Sequence, residues 1–108
     1  MGWDLSLKTK PCEHCGRADD GGSWNYTYNT SPMLRAAGLV VQDLVGQTGA
    51  VCAERIGNAL AVLRAEPSRF VAMNPSNGWG SYDGVCEVLE EVRAACAAHP
   101  DAVMDGSF

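Results

Sequence analysis

No apolar run in this chain approaches the ~20 residues needed to cross a bilayer. The N-terminal residues also lack the charged-then-apolar pattern of a secretory signal. A membrane partner is therefore not expected. Positive charge is scarce too. Eight Lys and Arg stand against 13 Asp and Glu, giving a net charge of −5, and the basic residues are scattered from Lys8 to Arg93. Nothing in that pattern offers a footprint for a phosphate backbone, so no nucleic-acid partner is expected. Histidine is rarer still, with only His14 and His99 present. One falls in a turn and the other at a helix end, and nothing local orients either as a base for a Ser or Cys nucleophile. Cysteine is not lacking, but five is an odd number, and without a secretion signal it fits a reducing cytosol better than a disulfide framework.

What the chain does have is ordinary globular composition, 46% apolar and 19% charged over 108 residues. That is enough for one modest core, so residues 1–108 are expected to form a single domain. Trp3, Leu5 and Leu7 alternate with Asp4, Ser6 and Lys8, predicting a short half-buried strand that Pro11 ends. A C-E-H-C-G turn follows, then a solvated loop at Asp19-Asp20-Gly21-Gly22. Ser23 to Asn29 alternates again. Trp24, Tyr26 and Tyr28 take one side, and Asn25, Thr27 and Asn29 take the other.

Thr30-Ser31-Pro32 opens a short helix that Gly38 stops, and Leu39 to Gly46 is an irregular connection. Thr48 caps a long helix over about 49–65, with Cys52, Ile56, Ala59, Leu60 and Leu63 on one stripe. One or two further turns follow Pro67. Ser81 caps a second long helix to about Ala98, its stripe formed by Val85, Val88, Leu89, Val92 and Cys96. A last short strand is expected through Ala102, Val103 and Met104. The predicted class is α+β: a small antiparallel sheet of two to three short strands packed against two long amphipathic helices plus a short helix.

Three patterns could carry chemistry. Asn is a poor strand former, so the row Asn25, Thr27 and Asn29 asks for a reason. Its amides either bind a polar ligand or form a buried network tying the strand to a loop. The turn-rich segment N-P-S-N-G-W-G-S-Y-D-G sets Trp79 and Tyr82 beside Asn74, Asn77 and Asp83. That is a stacking surface with polar edges, or a helix-entry turn whose Trp plugs the core. Cys12-x-x-Cys15 has zinc-knuckle spacing, with Gly16 helping the turn. A structural zinc needs two more ligands, and no second pair of that kind exists. An incidental thiol pair in a turn is the competing account.

The combination of C-x-x-C-G, W-N-Y-T-Y-N-x-S-P-M-L-R-A-A-G-L, A-x-P-S-R-F-x-x-M-N-P-S-N-G-W-G-S-Y-D-G and A-C-A-A-H-P-D-A resembles the small, uncharacterised proteins of tailed phages and prophages. The similarity covers roughly residues 12 to 105. It implies a phage accessory protein in the cytoplasm of the bacterial host, and recurring motif positions at Asn25, Thr27, Asn29, Pro32, Met33, Asn74, Asn77, Gly78, Trp79, Gly80, Tyr82 and Gly84. Many relatives carry His where this chain has Tyr28, and some lack the C-x-x-C pair. The expected function is binding of a polar small molecule, a nucleotide-like host defence signal being one candidate, as a counter-defence device. An adaptor that inhibits a host protein is the alternative. An enzyme, with Asp83 or Tyr82 moving protons, ranks last. A homo-oligomer, with a dimer as default, is expected for a site of any depth in so small a chain.

Overall fold

Alternation in the first residues builds the middle of the molecule. In the computed structural model, which describes residues 2–11, 18–75, 78 and 80–107, strand β1 (Gly2–Pro11) buries Trp3, Leu5 and Leu7 and turns Asp4 and Lys8 outward. β1 pairs antiparallel with β2 (Ala18–Thr27) on one side and with β3 (Val103–Ser107) on the other, so the sheet order is β2-β1-β3. Trp3 faces Tyr26 across the ladder, Leu5 faces Trp24 and Gly106, and Leu7 faces Gly22 and Met104. The inner face is therefore continuous from Tyr26 to Met104. Trp3 and Tyr26 meet edge to face with ring centroids 6.3 Å apart.

Helices cover that inner face. Ser31–Ala36 forms α1, Gly49–Ala65 forms α2, Pro67–Val71 forms α3 and Tyr82–Ala98 forms α4. The apolar stripes of α2 and α4 face each other and the sheet, burying Cys52, Ile56, Leu60 and Leu63 with Val85, Leu89, Val92 and Cys96. Val88 is only half-buried, at the margin of its stripe. Phe70 of α3 is fully buried in the same core. The two long helices lie close because Gly49 has no side chain. A Cβ there would stand 2.8 Å from the Cys96 carbonyl oxygen and closer still to that of His99. Glu90 on α4 then joins Arg64 of α2 at 2.9 Å and Arg93 of its own helix at 2.8 Å.

The class expected from the sequence holds: α+β, an antiparallel sheet with helices on one face. Both cap assignments hold as well. Thr48 Oγ1 accepts the Val51 N–H, and Ser81 Oγ accepts the Gly84 N–H. Two strand expectations need correction. β1 and β2 are ten residues each rather than short, because Asp19 to Gly22 is not a loop but part of β2. Register shifts between Leu7 and Lys8, and again before Pro11, absorb the turn-prone residues and let the ladder run on. At its other end β2 stops at Thr27, and Tyr28–Thr30 coils into a single 3₁₀ turn. Asn29 therefore does not continue the strand row. Among the described residues no helix is long and apolar enough to cross a membrane.

Candidate functional site

The junction between the end of β2 and the start of α4 is built around one hydroxyl. Tyr26 reaches from the inner face of β2 so that its oxygen accepts the Ser81 N–H at 3.1 Å and lies against Gly84. A methyl at Gly84 would collide with that oxygen. Asn74 accepts the Tyr82 N–H at 2.8 Å, and Ser81 Oγ takes that of Gly84 at 3.1 Å. A helix start leaves its first N–H groups without intrahelical partners. Here those of Ser81, Tyr82 and Gly84 are all taken by side chains. Three of the N–H groups at the positive end of α4 are thus satisfied from within.

Gly80 precedes this helix at φ +95, a backbone angle that favours glycine. A Cβ on it would come within 2.7 Å of Thr27 Cγ2 and 2.6 Å of Thr30 Cγ2. Thr27 thereby touches the turn-rich segment directly. Thr30 is fully buried and donates its hydroxyl to the Thr27 carbonyl at 2.9 Å. The two stretches singled out in the sequence do meet, at Tyr26–Ser81 and at Thr27–Gly80.

Above this junction lies an open depression of about 490 Å³ lined by Gly2, Trp3, Asp4, Asn25, Tyr26, Thr27 and Gly80. A second, of about 320 Å³, adjoins it on the outer face of the sheet, where Asp4 and Asn25 are joined by Ser6, Ser23, Asp105 and Ser107. Asp4 and Asn25 stand opposite each other in the β1–β2 ladder and border both hollows. Both are exposed, and neither side chain spends a hydrogen bond on the described residues. The indole N–H of Trp3 is buried and has no partner among the described residues, a state that costs roughly 1–3 kcal/mol.

The remaining residues expected at the site fall in different places. Asn29 is exposed, and its backbone N–H donates to Thr27 Oγ1 at 3.2 Å. Asn74 is occupied at the helix start, and the Tyr82 hydroxyl donates to the Leu63 carbonyl at 3.0 Å. Partial burial and the neighbouring Cys86 thiol hold the Tyr82 phenol above its ordinary range. Asp83 is exposed in the first turn of α4 and lines neither hollow. Asn77, Trp79, Cys12 and Cys15 lie outside the described residues. Among the described residues no group of three metal-ligating side chains comes together.

Sequence reasoning had not included Asp4, Trp3 and Tyr26. Trp3 and Tyr26 carry the strand alternation and so count as core. Asp4 was one more polar position of a strand, and only the pairing register sets it opposite Asn25. Comparisons of the chain with protein-family models, with curated proteins and with solved structures return no match.

Proposed function

We propose that this protein binds a polar small molecule at the depression between the β1–β2 ladder and Gly80. The observation that carries the reading is the cross-strand pair Asp4 and Asn25, exposed at a concave surface with no side-chain hydrogen bond to the described residues. The amide offers a donor and an acceptor together, and the carboxylate accepts two bonds side by side. Thr27 adds a hydroxyl, while Trp3 and Tyr26 supply an apolar floor. A ligand rich in donors and partly flat fits this lining. Among the described lining residues the only charged side chain is that of Asp4, so a nucleotide-like ligand would be held by its base and sugar, with phosphates toward solvent. Asn77 and Trp79, three residues and one residue before Gly80, lie outside the described residues and enter this reading from the sequence alone. The resemblance to small phage proteins supplies the context: an accessory protein in the host cytoplasm that sequesters a defence signal.

Native mass spectrometry of the untagged protein from bacterial lysate, set against its denatured mass, tests this directly. A retained small molecule, lost from Asn25→Ala and Asp4→Ala proteins that still fold, is the expected result. A bare mass, together with no thermal shift from a panel of nucleosides and nucleotides, would sink it. The same spectrum reads zinc at Cys12 and Cys15 as a metal-sized excess.

One other observation favours an adaptor. Among the described residues the outer face of the sheet, from Asn25 across Asp4 to Ser107, carries no covering element and β2 has no strand on its far side. An edge of this kind accepts a further strand from a host protein or a second copy. A stoichiometric host protein captured by the wild type, and released by Ser23→Pro in β2, supports that reading. An unaltered capture by the Pro variant counts against it.

A further inference from the structure

The register of β1 and β2 decides which hydrogen-bonding groups meet a ligand together. Gly2 pairs with Thr27 and Asp4 with Asn25, and alternation puts both pairs on the outer face, away from buried Trp3 and Leu5. Gly2 has no side chain, so the strand beside Asp4 is bare backbone that a flat ring can approach closely. Across from it, Thr27 Oγ1 already accepts the Asn29 N–H and keeps its hydroxyl proton to donate.

The larger hollow therefore presents an uneven set of groups. The Asp4 carboxylate only accepts, with two oxygens side by side, whereas the Asn25 amide both donates and accepts. Neither side chain is tied to a described residue, and no described lining side chain is positively charged. Residues opposite each other in an antiparallel ladder hold their Cβ atoms about 4.5–5.5 Å apart. Both head groups can thus engage a single edge of one small molecule.

Resting on the polar-ligand reading, we propose that the base this site selects is guanine, read along the edge that carries its carbonyl and two adjacent N–H groups. The ring N–H and the exocyclic amine of guanine point the same way, and the Asp4 carboxylate takes one on each oxygen. The Asn25 amide donates to the neighbouring carbonyl oxygen. Other common bases fail at Asp4. Adenine and cytosine set an amine beside a ring nitrogen that is itself an acceptor, so a carboxylate oxygen faces it with no proton between them. Uracil and thymine offer one N–H flanked by two carbonyls. Hypoxanthine keeps the ring N–H and the carbonyl but lacks the amine, which leaves one Asp4 oxygen unpaired. The sugar leaves the opposite side of the ring, and the hollow has room for it toward Gly2, Thr27 and Gly80.

Calorimetric titration with guanosine, inosine, adenosine and xanthosine, none of which carries a phosphate, tests the assignment. Wild type should bind guanosine about tenfold or more tighter than inosine or adenosine, since a site built to pair a donor rejects analogues that lack it. Asp4→Asn should lose guanosine and gain xanthosine, whose oxygen in place of the amine suits the new amide N–H₂. A merely structural effect of the substitution would not produce that gain. Asn25→Ala should weaken guanosine and inosine alike, because both carry the carbonyl. Equal wild-type affinity for guanosine, inosine and adenosine would overturn guanine selection and leave the polar-ligand reading standing, whether or not the variants fold. Retention of a different small molecule from lysate, with no nucleoside bound, would do the same. No nucleoside bound and no molecule retained would overturn both.

Discussion

Asn25 and Asn74 are the same side chain put to opposite uses. Asn74 is consumed: its oxygen takes the Tyr82 N–H at the head of α4. Asn25 is exposed on the sheet, and its amide makes no hydrogen bond to the described residues. Asn74→Ala should therefore lower stability by about 1 kcal/mol, the usual cost of a lost helix-start acceptor. Asn25→Ala should stay within about 0.5 kcal/mol of wild type, as exposed substitutions do. Urea unfolding of the two variants checks both, and only Asn25→Ala should lose a retained ligand while keeping its midpoint. Alternation alone was enough to assign Asn25 to the face opposite Trp24 and Tyr26. The role of Asn74 was not legible, because its partner lies across a turn whose path no local preference dictates. Asn29 misled for a related reason. A hydroxyl two residues earlier captures its N–H, and the chain coils where the pattern still alternates.

Helices were more legible than strands, since their signals are local. Thr48 and Ser81 announce the caps, and stripes at helical spacing announce the buried faces. What the stripes do not convey is how near α2 and α4 approach. Gly49→Ala presses a methyl into the His99 and Cys96 carbonyls, backbone atoms that cannot swing aside, and should cost more than 1 kcal/mol by the overpacking rule. Gly57→Ala on the same helix meets only Arg93 Cδ at 3.6 Å, an ordinary contact, and should stabilise by about 0.5–1 kcal/mol through helix propensity. Melting curves of the pair should move in opposite directions. Between the same helices, Arg93 and then Arg64 hold the Glu90 carboxyl below its ordinary value. A carboxyl depressed by folding stabilises above its unfolded value, and that gain is lost as pH falls through the folded one. Glu90→Gln should therefore be less stable than wild type at neutral pH, with the gap closing in acid. Because the group is exposed the gap is small and shrinks with added salt. Urea midpoints across pH, at low and high salt, test both statements.

The whole molecule is a sheet with one face packed against helices and the other left polar. Only the packed face could be inferred from composition and periodicity. The hollows flanking Asp4 and Asn25 depend on strand register, which no short window of sequence specifies. Topology also has a kinetic consequence. β1, the central strand, finds β2 a short distance along the chain, but its other neighbour, β3, comes from the far end, with Asp4 opposite Ser107. Closing so long a loop is entropically late. The hairpin and the helix pair can form first, leaving one edge of β1 waiting for β3 to dock over Leu5 and Leu7. Met104→Ala, at a fully buried position of that last strand, should cost about 2–5 kcal/mol. In a chevron plot nearly all of it should appear as faster unfolding, with refolding almost unchanged. The strand that completes the sheet is then the latch that governs how long the native state lasts.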